Sequence, residues 1–151
     1  MNPGIRLRLV PALLLPLLLA AQCTKKSQGF DHDFTFDATS GNVGTTTPQS
    51  TPDPTDLYSL TVDVTGTDAL APGNVEIVAM LECGDLPGTL YPHPVSLHGT
   101  GLTSLAGDFS ATATECIDPT TGQKSSATWY LVVTRVDTSL SFKVKIQGTL
   151  G

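Results

Sequence analysis

The chain has 151 residues, room for one small domain once an export segment is set aside. Its 14 Asp and Glu outweigh 8 Lys and Arg, giving a formal charge of −6 and no basic cluster larger than Lys25-Lys26. A chain of that sign repels phosphate instead of displacing counterions from it, which excludes nucleic acid as a partner; Gly- and Pro-rich composition without a 3.6-residue apolar repeat excludes a helical bundle.

In chain order the first element is an export segment. Arg6 and Arg8 precede an apolar run, Leu9 to Ala21. That length, about 13 residues, suits the apolar region of a signal peptide and falls short of the roughly 18–20 residues that cross a bilayer core. Pro11 and Pro16 would also break a spanning helix. A signal peptide is therefore expected over residues 1–22. Ala20-Ala21-Gln22-Cys23 resembles the lipobox of bacterial lipoproteins, with Gln22 where Gly, Ala or Ser is usual. The resemblance implies lipidation of Cys23, with palmitate-type chains holding an acylated N-terminus in a lipid membrane. Thr24, in place of Asp, then implies sorting to the outer membrane. Cleavage after Ala21, with no lipid, is the alternative.

Cysteine counting bears on the choice. Cys23, Cys83 and Cys116 are the three cysteines. In an oxidising compartment Cys83 and Cys116 are expected to form a disulfide, leaving Cys23 as the odd thiol. Lipidation accounts for it; a free thiol or an interchain bridge are the other readings. Residues 1–22 hold two of the eight basic residues and none of the acidic ones, so the chain after them carries −8.

After an anchor-proximal segment, 23–29, residues 30–38 alternate with period two. Phe30, His32, Phe34 and Phe36 share one face, and Asp31, Asp33, Thr35 and Asp37 the other, which predicts a first strand. Residues 39–56 are rich in Thr, Ser and Pro with only Val43 apolar, so they are expected to form a flexible linker or long loop. A β-sandwich domain is expected over 57–151. Tyr58, Leu60, Val62 and Val64 alternate with polar residues, and Val75 to Cys83 does the same with Glu76 and Glu82 on the opposite face. Val95-Leu97 and Phe109-Ala113 mark two further strands, with Gly101–Gly107 between them read as a loop. Ala127–Val136 is apolar on both faces, the pattern of a central strand; Leu140, Phe142, Val144 and Ile146 close the domain. The fold class is thus all-β, a small antiparallel sandwich or barrel of about seven strands. An immunoglobulin-type arrangement does not follow, because Trp129 lies after both Cys83 and Cys116.

The chemistry expected is sparse. Ser104 lacks the flanking glycines of a nucleophile elbow, and no phosphate-binding loop, zinc signature or EF-hand loop is present. No catalytic residue, metal ligand or cofactor is therefore assigned, and an enzyme is not expected. Tyr91-Pro92-His93-Pro94 reads as a rigid loop. On residue type alone, a zinc or copper site could draw on His93 and His98 with His32 or Asp31. Asp31, Asp33 and Asp37, with Asp118, raise calcium, although alternate carboxylates on a strand lie about 6.6 Å apart and need ligands from elsewhere. The expected function is a cell-envelope lipoprotein whose domain binds or positions something at the cell surface, its protein or glycan partner unknown. A calcium- or glycan-binding adhesive module is the alternative.

Overall fold

The computed structural model describes residues 27–85 and 89–151. The expected signal peptide and Cys23 lie outside them. Ten strands run in chain order: β1 (Gln28–Phe36), β2 (Val43–Thr45), β3 (Gln49–Thr51), β4 (Tyr58–Gly66), β5 (Val75–Cys83), β6 (Leu90–Pro94), β7 (Leu97–Gly99), β8 (Ser104–Ala111), β9 (Ala127–Arg135) and β10 (Phe142–Leu150). They form two open antiparallel sheets. The first has the order β1-β10-β4-β8-β7; the second has β2-β9-β5-β6, with β3 also pairing β9. The sheets pack face to face as a sandwich, not a barrel.

Period-two patterning drives this assembly. Tyr58, Leu60, Val62 and Val64 of β4 and Val144 and Ile146 of β10 turn inward from the first sheet. They meet Ile77, Ala79 and Leu81 of β5 and Trp129, Leu131 and Val133 of β9 from the second. Burying a Val, Leu, Ile or Trp side chain contributes about 1.5–3 kcal/mol each, so this double layer is the main source of stability. Close approach at one point needs glycine: a Cβ on Gly148 would collide with the Phe30 ring and with the Ser59 carbonyl.

Each of the seven expected strands has a counterpart, although the one expected at Val95-Leu97 is found at Leu97–Gly99, and among the described residues three more join them. Tyr91-Pro92-His93-Pro94, expected as a loop, lies in β6 at the edge of the second sheet. Proline is tolerated there because an edge strand needs only every other N–H. β8 begins at Ser104, inside the stretch expected as a loop. The reason is that Gly107 faces inward where a larger residue cannot: a Cβ there would lie 2.7 Å from Ser96 O, so the inward face shows no apolar repeat. Cys116 sits in a short 3₁₀ turn, Thr114–Cys116, past the end of β8, which explains its phase.

The largest correction concerns 39–56. Expected as a flexible linker or loop, this stretch supplies β2 and β3, both paired with β9. Its polar residues are satisfied by specific bonds in place of apolar burial. Thr46 is buried; its N–H donates to Leu131 O at 3.0 Å, and its Oγ1 accepts from Leu131 N–H at 2.9 Å. Thr51 is buried and donates to Asp56. Ala113 N–H donates to Pro54 O at 2.8 Å. The turn into this stretch is held by Arg135, only 5% exposed. Its Nε and Nη2 donate to Asn42 Oδ1 at 3.1 and 2.8 Å, and its Nη1 to Asp37 O at 2.7 Å. Longer bonds reach Ser40 O and Leu140 O at 3.4 Å. The Thr39 hydroxyl, the Thr39 and Ser40 N–H groups and the nearby guanidinium hold the Asp37 carboxyl below the usual carboxylate range.

Arg135→Met keeps the apolar stem and removes the donors to Asn42 Oδ1 and these carbonyls. Charged hydrogen bonds contribute about 1.5–3 kcal/mol each, shared here among several acceptors, so a loss of about 3 kcal/mol is expected. Urea denaturation measures it, and hydrogen exchange should show the new opening confined first to residues 37–51. A loss under 1 kcal/mol contradicts this account.

Candidate interaction site

The interior ends in an aromatic cluster that joins the sheets. Tyr58 of β4 stacks on Trp129 of β9 at 5.0 Å between centroids, with Phe30 of β1 on its far side at 5.4 Å. Phe109 meets both rings edge-on, and His93 of β6 lies 5.3 Å from Trp129. Burial pushes the Tyr58 phenol above its usual range. Among the described residues Tyr58 Oη and Trp129 Nε1 have no hydrogen-bond partner. His93 Nε2 lies 3.4 Å from Glu115 Oε1 without the alignment of a hydrogen bond. Aromatic pairs add about 0.5–1.5 kcal/mol beyond area burial, so the cluster reads as a structural clamp.

At the same end Cys83 and Cys116 form a disulfide with Cα atoms 5.3 Å apart. It ties the end of β5 to the connection between β8 and β9. Beside it lies a cleft of about 410 Å³ lined by Asp85, Tyr91, Glu115, Asp118, Gln123 and Ser125 among others. Its carboxylates do not converge. Asp118 accepts from the N–H groups of Thr120 and Thr121 in its own turn, which hold it below the usual range.

The other residues singled out in the sequence are also kept apart. Asp31 and Asp33 stand on the outer face of β1, opposite Gln147 and Lys145 of β10, while Asp37 folds back into its turn. His32 is on β1, His93 on β6 and His98 on β7. Among the described residues no group of three or more His, Cys, Asp or Glu could hold a metal ion. Ser104 opens β8, where its hydroxyl is bonded to Thr100 at 2.9 Å. Cys23 lies outside the described residues.

The sequence missed one surface. The second apolar face of β9, expected to be buried in a central strand, points out of the sandwich, and among the described residues no third layer lies over it. Val132 pairs with Val78 and Val78 with Pro94; Tyr130 pairs with Met80 and Met80 with Pro92. These six residues form a three-strand apolar block that is half-buried or exposed. Val43 and Leu90 extend it at 60% and 45% exposure. Glu76 and Glu82 close its two ends on β5, with Thr134 and Thr128 opposite them. Strand spacing and the two-residue repeat give the block roughly 200 Å². That is well below the ~800 Å² per partner of a standard interface, so any partner must also cover the acidic rim. The legible signal was on β5, where Val78 and Met80 share their face with Glu76 and Glu82.

No protein-family model matches the chain, and a search of curated proteins gives no match.

Two outcomes follow from this geometry. Replacing both Cys83 and Cys116 with Ala reopens a loop spanning 33 residues. The chain-entropy relation gives that loop about 3.7 kcal/mol, so a denaturant midpoint shift equivalent to about 3–4 kcal/mol is expected. Threonine at Val78, Met80 and Tyr130 together should cut binding of a hydrophobic surface dye several-fold. The melting temperature should move by only a few degrees, because the block lies outside the core. A large drop in melting temperature would show that the block is structural.

Proposed function

We propose that this protein is an exported cell-envelope lipoprotein whose β-sandwich is a non-catalytic binding domain held close to the membrane. The observation that carries the reading is the cysteine pairing. Cys83 and Cys116 bond each other, so Cys23 stands outside the disulfide at the end of the export run. An acylated Cys23 is a strong anchor, since each buried methylene contributes about 0.8 kcal/mol and two chains hold stably.

The fold shortens the tether. With 39–56 folded into the domain, the spacer is only the stretch between Cys23 and Gln28, the first residue of β1. Five residue steps reach at most about 17 Å. Gly151 lies against Ser27, so the two ends meet at one end of the sandwich. That end also carries the disulfide, through the pairings Gln28↔Leu150↔Tyr58↔Ala111 and Cys83↔Ala127. It is the membrane-proximal end, and the apolar block on the second sheet stands to its side. The partner this block suits is a protein with an apolar patch and basic rim residues facing Glu76 and Glu82. Thr24 supports outer-membrane sorting in a cell that has one.

Metabolic labelling with palmitate, membrane fractionation and a mass measurement of the mature N-terminus test the anchor. Labelled, membrane-bound protein that becomes unlabelled and soluble as Cys23→Ala is the expected result. A mature mass fitting cleavage after Ala21, without acyl chains, would overturn it.

A further inference from the structure

Two open sheets leave free edges, and three of the edge regions are blunted. β7 has three residues; β2 and β3 have three each, separated by Pro48. In β6 the prolines do the blunting. Val95 N–H donates to Ile77 O, so by alternation Tyr91 and His93 also face β5, and Pro92 and Pro94 face out. Proline at outward positions removes the donors that a foreign strand would use.

β1 is different. It runs nine residues without proline, and its register against β10 is one-to-one from Gln28↔Leu150 to Phe36↔Phe142. Its free donors follow from the ladder. Gly151 N–H donates to Leu57 O, which places odd-numbered β10 residues in hydrogen-bonded pairs with β4. Even-numbered β10 residues therefore bond β1, at Gln28, Phe30, His32, Phe34 and Phe36. Gly29, Asp31, Asp33 and Thr35 aim N–H and C=O at the open edge, over about 20 Å. Among the described residues none of these groups has a backbone partner.

The side chains describe what would fit there. On the outer face Asp31, Asp33 and Thr35 are exposed, and β10 meets them with Gln147, Lys145 and Lys143. On the inner face Phe30, His32 and Phe34 remain half-exposed, although Val144 and Ile146 beside them on β10 are 1% and 0% exposed. The inner layer is thus one strand short of covering its own aromatic row. We propose that the free edge of β1 receives an extended segment of a partner protein, with Lys or Arg at alternate positions facing Asp31 and Asp33. Its other residues are apolar and cover Phe30 and Phe34. The segment adds a sixth strand to the first sheet by backbone pairing. A second copy of this chain is a poor occupant. Antiparallel pairing of two β1 edges sets Asp31 against Asp33, or either against itself, and like charges across a ladder are destabilising.

This inference does not depend on how the chain is anchored. The test uses the full chain and a nine-residue peptide alternating lysine and valine, with a glutamate–valine peptide as its charge-reversed control. Titration calorimetry should give binding for the lysine peptide at least tenfold tighter than for the control. Hydrogen exchange should show Gly29, Asp31, Asp33 and Thr35 protected at least tenfold by that peptide. Asp31→Lys with Asp33→Lys, both on the exposed face, should reverse the peptide preference while leaving the melting temperature within a few degrees. Failure of the lysine peptide to bind, equal binding of both peptides, or protection elsewhere with these four amides unchanged would overturn the proposal. So would a dimer in sedimentation that the double substitution abolishes.

Discussion

A buried guanidinium holds this fold together at the point where the chain crosses between sheets. An isolated buried charge is costly, and a carboxylate partner is the common remedy. Arg135 donates its hydrogen bonds to neutral acceptors, Asn42 Oδ1 and the carbonyls of Asp37, Ser40 and Leu140, with the Asp37 carboxylate nearby. Asp37 O also accepts from the Ser40 N–H and hydroxyl, so the guanidinium adds to bonds the turn makes for itself. Because the turn is fixed, β1 can end in the first sheet while β2 begins in the second. Arg135 N–H also donates to Asn42 O at 2.7 Å, so the backbone and the side chain of one residue secure the same turn. Lysine could not reproduce this: it has no planar fork to span the acceptors.

That one turn controls how the domain relates to its N-terminus. Were 39–56 loose, β1 would hang from the sandwich on a long leash and its pairing with β10 would be the only bond holding it. With 39–56 folded, β1 is continuous with both sheets, and its far end reaches the core. Phe36 is 3% exposed and packs on Phe142 at 5.1 Å. A Cβ on Gly44 of β2 would touch the Phe34 ring, so the two sheets close on this side through a glycine. The aromatic clamp and the disulfide close the opposite end.

What could be read from the sequence, and what could not, divides along the range of the interactions. β4, β5, β9, β10 and β1 announce themselves because apolar alternation is local, and the Cys83–Cys116 pair follows from compartment and count. β2 and β3 were invisible because their partners lie far along the chain: Thr46 bonds Leu131, and Ser50 bonds Thr128. A threonine bonded to a distant backbone has no signature that separates it from a threonine in a linker. β6 was hidden by prolines that normally mark loops, and only the ladder's alternation shows why they are tolerated. The apolar block failed in a different way. Tyr130 and Val132 were correctly read as apolar, but a sequence gives the number of apolar faces without the number of layers available to cover them.

On the proposed reading, the surfaces left open share one geometry. Nine-residue strands run about 30 Å, and a tether of at most about 17 Å is shorter than the body it holds. So anchored, the domain would stand near the bilayer with its strands leading away from the anchored end, unable to turn end over end. The edge of β1 begins beside the tether, and the block of Val78, Met80, Tyr130 and Val132 lies on the outer face of the other sheet. Both are approached from the side, not across the acidic turns that carry Asp53 and Asp118. Asp53 is held below the usual carboxylate range by Thr55 and Lys124, and Asp118 by its own backbone donors. On that reading a short tether would leave the flanks of the sandwich as the surfaces a neighbour in the envelope can reach.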